Sequence, residues 1–100
     1  MRLNDFEMNT IKETASRYFG RSCRVILFGS RADDSAKGGD IDLFIETRQS
    51  IKNALDRKPY FLVELKTKIG DRKIDVVLKG LNSRDKLIYK VAEKEGVEIR

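Results

Sequence analysis

Met8, Ile11, Ala15, Tyr18 and Phe19 recur at spacings of three and four, the period that gathers side chains on one face of a helix. Asn4-Asp5-Phe6-Glu7 has the form of a capping box, Leu3 and Met8 flank it as a hydrophobic staple, and Gly20 supplies a left-handed stop. The spacing predicts a first helix over residues 5–19. The pattern then changes period. Arg24-Val25-Ile26-Leu27-Phe28 is a short apolar run rich in β-branched residues and reads as a buried strand ending at Gly29-Ser30. In Asp40-Ile41-Asp42-Leu43-Phe44-Ile45 the residues alternate, placing Asp40, Asp42 and Phe44 on one side of a second strand and Ile41, Leu43 and Ile45 on the other.

Between Ser50 and Gly70 a helical phase returns through Ile51, Ala54, Leu55, Leu62, Leu65 and Ile69, and it persists across Pro59. The expectation is a kinked helix or two abutting helices crossing over the sheet. Lys73-Ile74-Asp75-Val76-Val77-Leu78 is a third strand in which Asp75 and Val77 share a face, and Gly80 breaks the chain after it. Asn82 or Ser83 then caps a last helix carrying Leu87, Ile88, Val91 and Ala92, which ends at Gly96. Val97-Glu98-Ile99 can add an edge strand. The order α-β-β-α-β-α-(β), with no repeat or linker, describes one α+β (α/β) domain over residues 1–100.

Composition narrows the chemistry. The chain has 100 residues, 40% of them hydrophobic and 37% charged, so it holds one modest core, and a large substrate must be gripped partly by another molecule. It contains no His, which excludes a Ser-His-Asp triad, an imidazole general base and a His-ligated zinc site. Acid–base or metal work therefore falls to carboxylates. The single Cys, Cys23, precedes an apolar strand and reads as a small buried hydrophobe. No stretch is long and apolar enough for a membrane span, and Met1-Arg2-Leu3-Asn4-Asp5 lacks the apolar core of a signal peptide, so a reducing cytoplasm is the expected location. The net charge of +5 attracts anions or simply keeps a small domain in solution. The basic residues are scattered and interrupted by Asp56, Glu64 and Asp71, the pattern of a solvated face rather than a nucleic-acid stripe.

The stretch from Gly29 to Asp42 joins a Gly-Ser turn to a strand with paired carboxylates. Gly29 lets backbone approach a bulky anion, and Ser30 adds a hydroxyl beside outward-pointing amides, so together they form a candidate phosphate cradle; a simple turn after a strand has the same appearance. Asp40 and Asp42 lie two residues apart on one strand face, with carboxylates within about 5 Å and a repulsion of about 3 kcal/mol at an effective dielectric of about 20. A divalent cation offsets that repulsion, and oxygen-only ligation favours Mg²⁺ or Mn²⁺ over zinc; neutralisation by solvent, Arg or Lys is the alternative. Asp75 interrupts an otherwise apolar strand and needs a partner or a role. If the third strand lies beside the second, three carboxylates converge and can hold two metal ions, Asp75 serving the hydroxyl side as ligand or general base.

Gly29-Ser30, nine intervening residues, Asp40-Ile41-Asp42-Leu43 and then Ile74-Asp75-Val76-Val77 together resemble the minimal nucleotidyltransferase branch of the DNA polymerase beta-like superfamily. The resemblance covers roughly residues 24–79, and the flanking helices agree with that core in order. It implies a small mixed sheet of three to four strands packed with helices. It also implies a nucleoside triphosphate, with ATP as the expected substrate, Mg²⁺ (two ions, with Mn²⁺ as a substitute), and attack by an acceptor hydroxyl on the α-phosphate with pyrophosphate leaving. Gly29 and Ser30 would then hold the β- and γ-phosphates, Asp40 and Asp42 the metals, and Asp75 the acceptor side. Arg31 would neutralise phosphate charge or pair with Asp33 or Asp34, and Lys37 has the same two roles open. The chain departs from many members in carrying Asp33-Asp34 where they have Arg-Gly, Gly39 where they have Ser, and a spacer one residue shorter.

Stand-alone cores of this kind resemble the antitoxin half of two-gene modules whose other half is a HEPN-domain ribonuclease toxin, and some transfer AMP to a tyrosine of that toxin. The resemblance therefore implies a protein adenylyltransferase acting as antitoxin. A second implication is a nucleotide-binding antitoxin or regulatory subunit that neutralises its partner by complex formation with little catalysis. A third is nucleotidyl transfer to RNA or a small molecule. The apolar run Tyr60-Phe61-Leu62-Val63 is wider than one helical stripe, which leaves core packing, a partner face and a homodimer open.

Overall fold

A computed structural model describes residues 3–28 and 40–99. The elements, in chain order, are α1 (Asp5–Phe19), β1 (Arg24–Phe28), β2 (Ile41–Glu46), α2 (Ile51–Ile69), β3 (Ile74–Lys79), α3 (Leu87–Glu95) and β4 (Val97–Ile99). The four strands form one mixed sheet in the order β3-β2-β1-β4. β1 is antiparallel to both β2 and β4, and β2 is parallel to β3, so the α2 crossover joins the parallel pair. The fold is α+β with the element order read from the sequence.

Each face of the sheet has its own cover. Val25, Leu27, Ile41, Leu43, Ile45, Ile74, Val76 and Leu78 point toward α1 and α2 and form the main core with Ile11, Ala15, Phe19, Ala54, Phe61, Leu65 and Ile69. On the opposite face, Ile26, Phe28 and Phe44 pack against Tyr89 and Ala92 of α3, with Val77 at the margin. Cys23 is buried beside the first cluster, and burial pushes its thiol above its ordinary pKa. Among the described residues no helix is long and apolar enough to cross a membrane.

The start of α1 matches its local code. The Glu7 amide donates to Asn4 Oδ1 (2.7 Å) and the Asn4 amide donates to Glu7 Oε1 (3.0 Å), closing the capping box. Glu7 Oε2 also pairs with Arg72 (2.6 Å), which ties the start of α1 to the approach to β3. Asn4→Ala is expected to cost about 1 kcal/mol, read as a lower urea midpoint at unchanged slope.

Three expectations about the helices are corrected. α2 is one helix that runs through Pro59, so of the two forms expected the pair of abutting helices is excluded. Its buried positions are Ala54, Phe61, Leu65 and Ile69, whereas Leu55 is 51% exposed, because contact with α1 rotates Phe61 into the core and carries Leu55 outward. α3 begins at Leu87 with Lys86 as an N-cap that makes no side-chain cap, so neither Asn82 nor Ser83 caps it. Ser83 is occupied elsewhere: its hydroxyl accepts from the Gly80 amide (2.8 Å) and its amide donates to the Gly80 carbonyl (3.1 Å). With the later start, Tyr89 and Ala92 face the sheet, and Leu87 (78% exposed) and Ile88 do not.

The α1–α2 seam carries an ionic cluster at Glu64. Lys68 donates to its Oε2 (2.8 Å), the Tyr18 hydroxyl donates to its Oε1 (2.8 Å), and Arg17 also pairs with it. These donors, Lys68 foremost, hold the Glu64 carboxyl at about 2, below the ordinary 4.5, and the same contact raises Tyr18. A carboxylate with a folded-state pKa below its unfolded value stabilises the fold above the unfolded value, and that contribution is lost as pH falls toward 2. Glu64→Gln is therefore expected to flatten the acid limb of the stability curve below about pH 4.5, measured by urea titration across pH.

Candidate active site

The parallel pairing of β2 with β3 sets Asp42 directly opposite Asp75, with Phe44 opposite Val77 as the next pair on the same face. Neighbouring strands lie about 4.8 Å apart, so the two acids stand side by side on the face that α3 shares. On the other side of Asp42 stands Phe28, the last residue of β1. Because β1 is antiparallel to the other two strands, one end of the sheet collects the start of β2, the start of β3 and the exit of β1 toward residues 29–39.

α3 crosses this face nearer the opposite end. Tyr89 packs on Phe44 with ring centroids 5.4 Å apart, and its hydroxyl donates to the Leu78 carbonyl (3.0 Å). The carboxylate pair lies just beyond this apolar cluster, with Asp42 half-buried and Asp75 exposed. Asp40 stands one residue ahead of β2 and is exposed, and the backbone beside it is fixed by the Ile41 amide donating to the Lys73 carbonyl (2.9 Å).

The strand order thus meets the condition on which three acids were expected to converge, and the structure brings together Asp42 and Asp75. Among the described residues, no group of three or more His, Cys, Asp or Glu side chains is gathered to hold a metal ion. Gly29, Ser30 and Arg31, and with them Asp33, Asp34, Lys37 and Gly39, lie outside the described residues. Asp42 and Asp75 place two hard oxygen donors side by side, the donor type that a divalent cation such as Mg²⁺ takes.

The opposite end of the same face carries a different arrangement, which the sequence pattern did not disclose. Arg24 pairs with Glu46 (3.0 Å), Glu93 (2.9 Å) and Glu98 (3.2 Å), joining β1, β2, α3 and β4. Hydrogen bonding to Glu93 above all, and then to Glu98 and Glu46, raises the guanidinium pKa further despite partial burial. Lys79 lies 3.9 Å from Glu46 and 5.5 Å from the Tyr89 ring centroid. A cleft of about 400 Å³ opens here between Arg24, Arg48, Lys79 and Ser83. Arg24 and Lys79 are engaged by structural acids, and the cleft lies at the other end of the face from Asp42 and Asp75, so it is a poor place for metal-assisted phosphate chemistry.

Comparison with protein families matches residues 9–100 to the model described as Polymerase beta, Nucleotidyltransferase. The matched span includes all four strands, α2, α3 and all but the first turn of α1. No curated protein matches the chain.

Proposed function

The chain belongs to the polymerase beta nucleotidyltransferase family, and from that premise we propose that it transfers a nucleoside monophosphate, AMP from ATP, to a hydroxyl acceptor with Mg²⁺ present. The acceptor we propose is a tyrosine of a HEPN-type toxin protein in the cytoplasm, with the transfer as the antitoxin activity. The observation that carries the reading is the registered pair Asp42–Asp75 at the end of the sheet where β2 and β3 begin.

In this reading Asp40, Asp42 and Asp75 hold Mg²⁺, which when bound neutralises phosphate charge and orients the α-phosphate. Gly29, Ser30 and Arg31 hold the β- and γ-phosphates at the exit of β1. The acceptor hydroxyl oxygen attacks the α-phosphorus, a new P–O bond forms, the bond to the bridging α–β oxygen breaks, and pyrophosphate leaves. Asp75, the more exposed of the opposed acids, faces the acceptor and accepts its proton. Phe28, Phe44 and Tyr89 make a dry, rigid floor behind the acids.

A second reading is neutralisation of the partner by complex formation alone. It is favoured by the lack of a three-carboxylate group among the described residues and by the exposure of Leu55, Tyr60 and Val63 on α2. Incubation with Mg²⁺, the partner and ATP labelled separately at the α- and γ-phosphates distinguishes the two. Label on the partner from the α-position only supports transfer. No label from any of the four common nucleoside triphosphates, while the partner is still bound and silenced, overturns it.

A further inference from the structure

β3 is a sheet edge. Among the described residues its one neighbouring strand is β2, and no strand pairs with its other side. The carbonyls of Lys73 and Lys79 accept from Ile41 and Thr47, so the odd-numbered residues of β3 turn their backbone groups toward β2. Ile74, Val76 and Leu78 therefore direct their N–H and C=O groups outward. A six-residue edge with no proline and an unbroken register is a ready template for another strand.

We propose that this edge pairs with itself, β3 against β3 of a second copy, in an antiparallel dimer with one continuous eight-stranded sheet. The proposal does not rest on the transfer reading; in the dimer Asp75 is engaged by Lys79 of the second copy, and the acceptor-side role given to Asp75 above belongs to the monomer. A two-fold axis perpendicular to the sheet keeps the helices of both copies on matching faces, which allows only registers that pair residues of the same parity.

Charge selects among these registers. Centred on Val77, the pairing sets Asp75 opposite Lys79 of the second copy twice, with Val76 opposite Leu78 twice. Asp75 and Lys79 then form pairs of the non-hydrogen-bonded kind, in which side chains lie closest. Shifting the centre to Val76 sets Lys73 against Lys79, and shifting it to Leu78 sets Asp75 against Leu81. The backbone agrees with the central register, since Val76 and Leu78 exchange four hydrogen bonds across the axis. The ladder stops there because the amide and carbonyl of Gly80 are already committed to Ser83.

The helix layer adds apolar area. α2 packs over β3, and the flank of α2 turned toward α1 carries Phe61 and Glu64. Its opposite flank carries Leu55, Pro59 and Val63, all exposed, with Leu55 at 51% and Val63 at 67%. In the dimer this flank meets its mate across the axis.

The test is native-state hydrogen exchange of the wild-type chain over a dilution series, with molar mass measured in parallel. The expected result is a dimer whose Val76 and Leu78 amides lose protection at least about tenfold as it dissociates, while Val77 stays protected by β2 and Ile74 is unprotected throughout. Lys79→Asp is expected to give a folded monomer by circular dichroism, and Asp75→Lys combined with Lys79→Asp to restore the dimer. A chain that is monomeric at every concentration overturns the proposal, as does a dimer with unprotected Val76 and Leu78 amides. Protection of those amides only on addition of a different protein assigns the edge to a foreign strand and equally overturns self-pairing.

Discussion

Asp42→Asn is expected to abolish the proposed nucleotide transfer, lowering it at least about a hundredfold, while the variant still folds and still captures the proposed partner. The amide keeps the size of the carboxylate, so the pairing of Asp42 with Phe28 on β1 and Asp75 on β3 has no steric reason to change. It removes one of two adjacent negative charges, and with it the strongest electrostatic reason for a divalent cation to sit at this end of the sheet. Two readouts follow from that change. Mg²⁺ with ATP is expected to raise the melting temperature of the wild-type chain and leave that of Asp42→Asn unmoved. Transfer of α-label to the partner is expected to vanish together with that shift. If the variant retains both, Asp42 is not in the site; if it loses transfer and also loses partner capture, the carboxylate serves the interface rather than the chemistry.

What the sequence made legible was local. The capping box at Asn4 and Glu7, the alternation of β2 and the break at Gly80 are each specified within a few residues, and each has its counterpart in the structure. The acids were legible for the same reason, since an Asp in a short apolar strand is conspicuous. Their opposition was not, because the register of Asp42 with Asp75 depends on how two strands 33 residues apart align, which no spacing within either strand specifies. The Arg24 network was hidden likewise: its acids come from β2, α3 and β4 and converge only after folding. Where local signals misled, a tertiary contact had overridden them. Asn82 and Ser83 have the composition of helix caps, yet Ser83 spends its hydroxyl on Gly80, and the helix waits until Leu87. In α2, Leu55 and Phe61 satisfy a helical period about equally well, and only the packing of α1 decides which one is inside.

That decision makes Phe61 the position with the largest expected effect on stability. It is fully buried, edge-on to Phe19 at 5.2 Å and to Tyr18 at 6.4 Å between ring centroids, and it joins the α1–α2 seam to the core above the sheet. Phe61→Ala removes the ring and leaves a cavity beside Phe19 and Tyr18, at a cost of about 3–5 kcal/mol. A domain of this length has about 5–15 kcal/mol in total, so the melting temperature is expected to fall by at least about 12 °C. Tyr60→Ala, one residue away and 68% exposed in the wild type, is expected to change stability by less than about 0.5 kcal/mol. The contrast between these neighbours tests the helix phase itself, because a rotation of α2 by one residue would exchange their effects. Thermal melts of the two variants decide it: equal losses, or the larger loss at Tyr60, would mean that α2 presents a different face to the sheet and that the exposed flank of Leu55 and Val63 is misplaced with it.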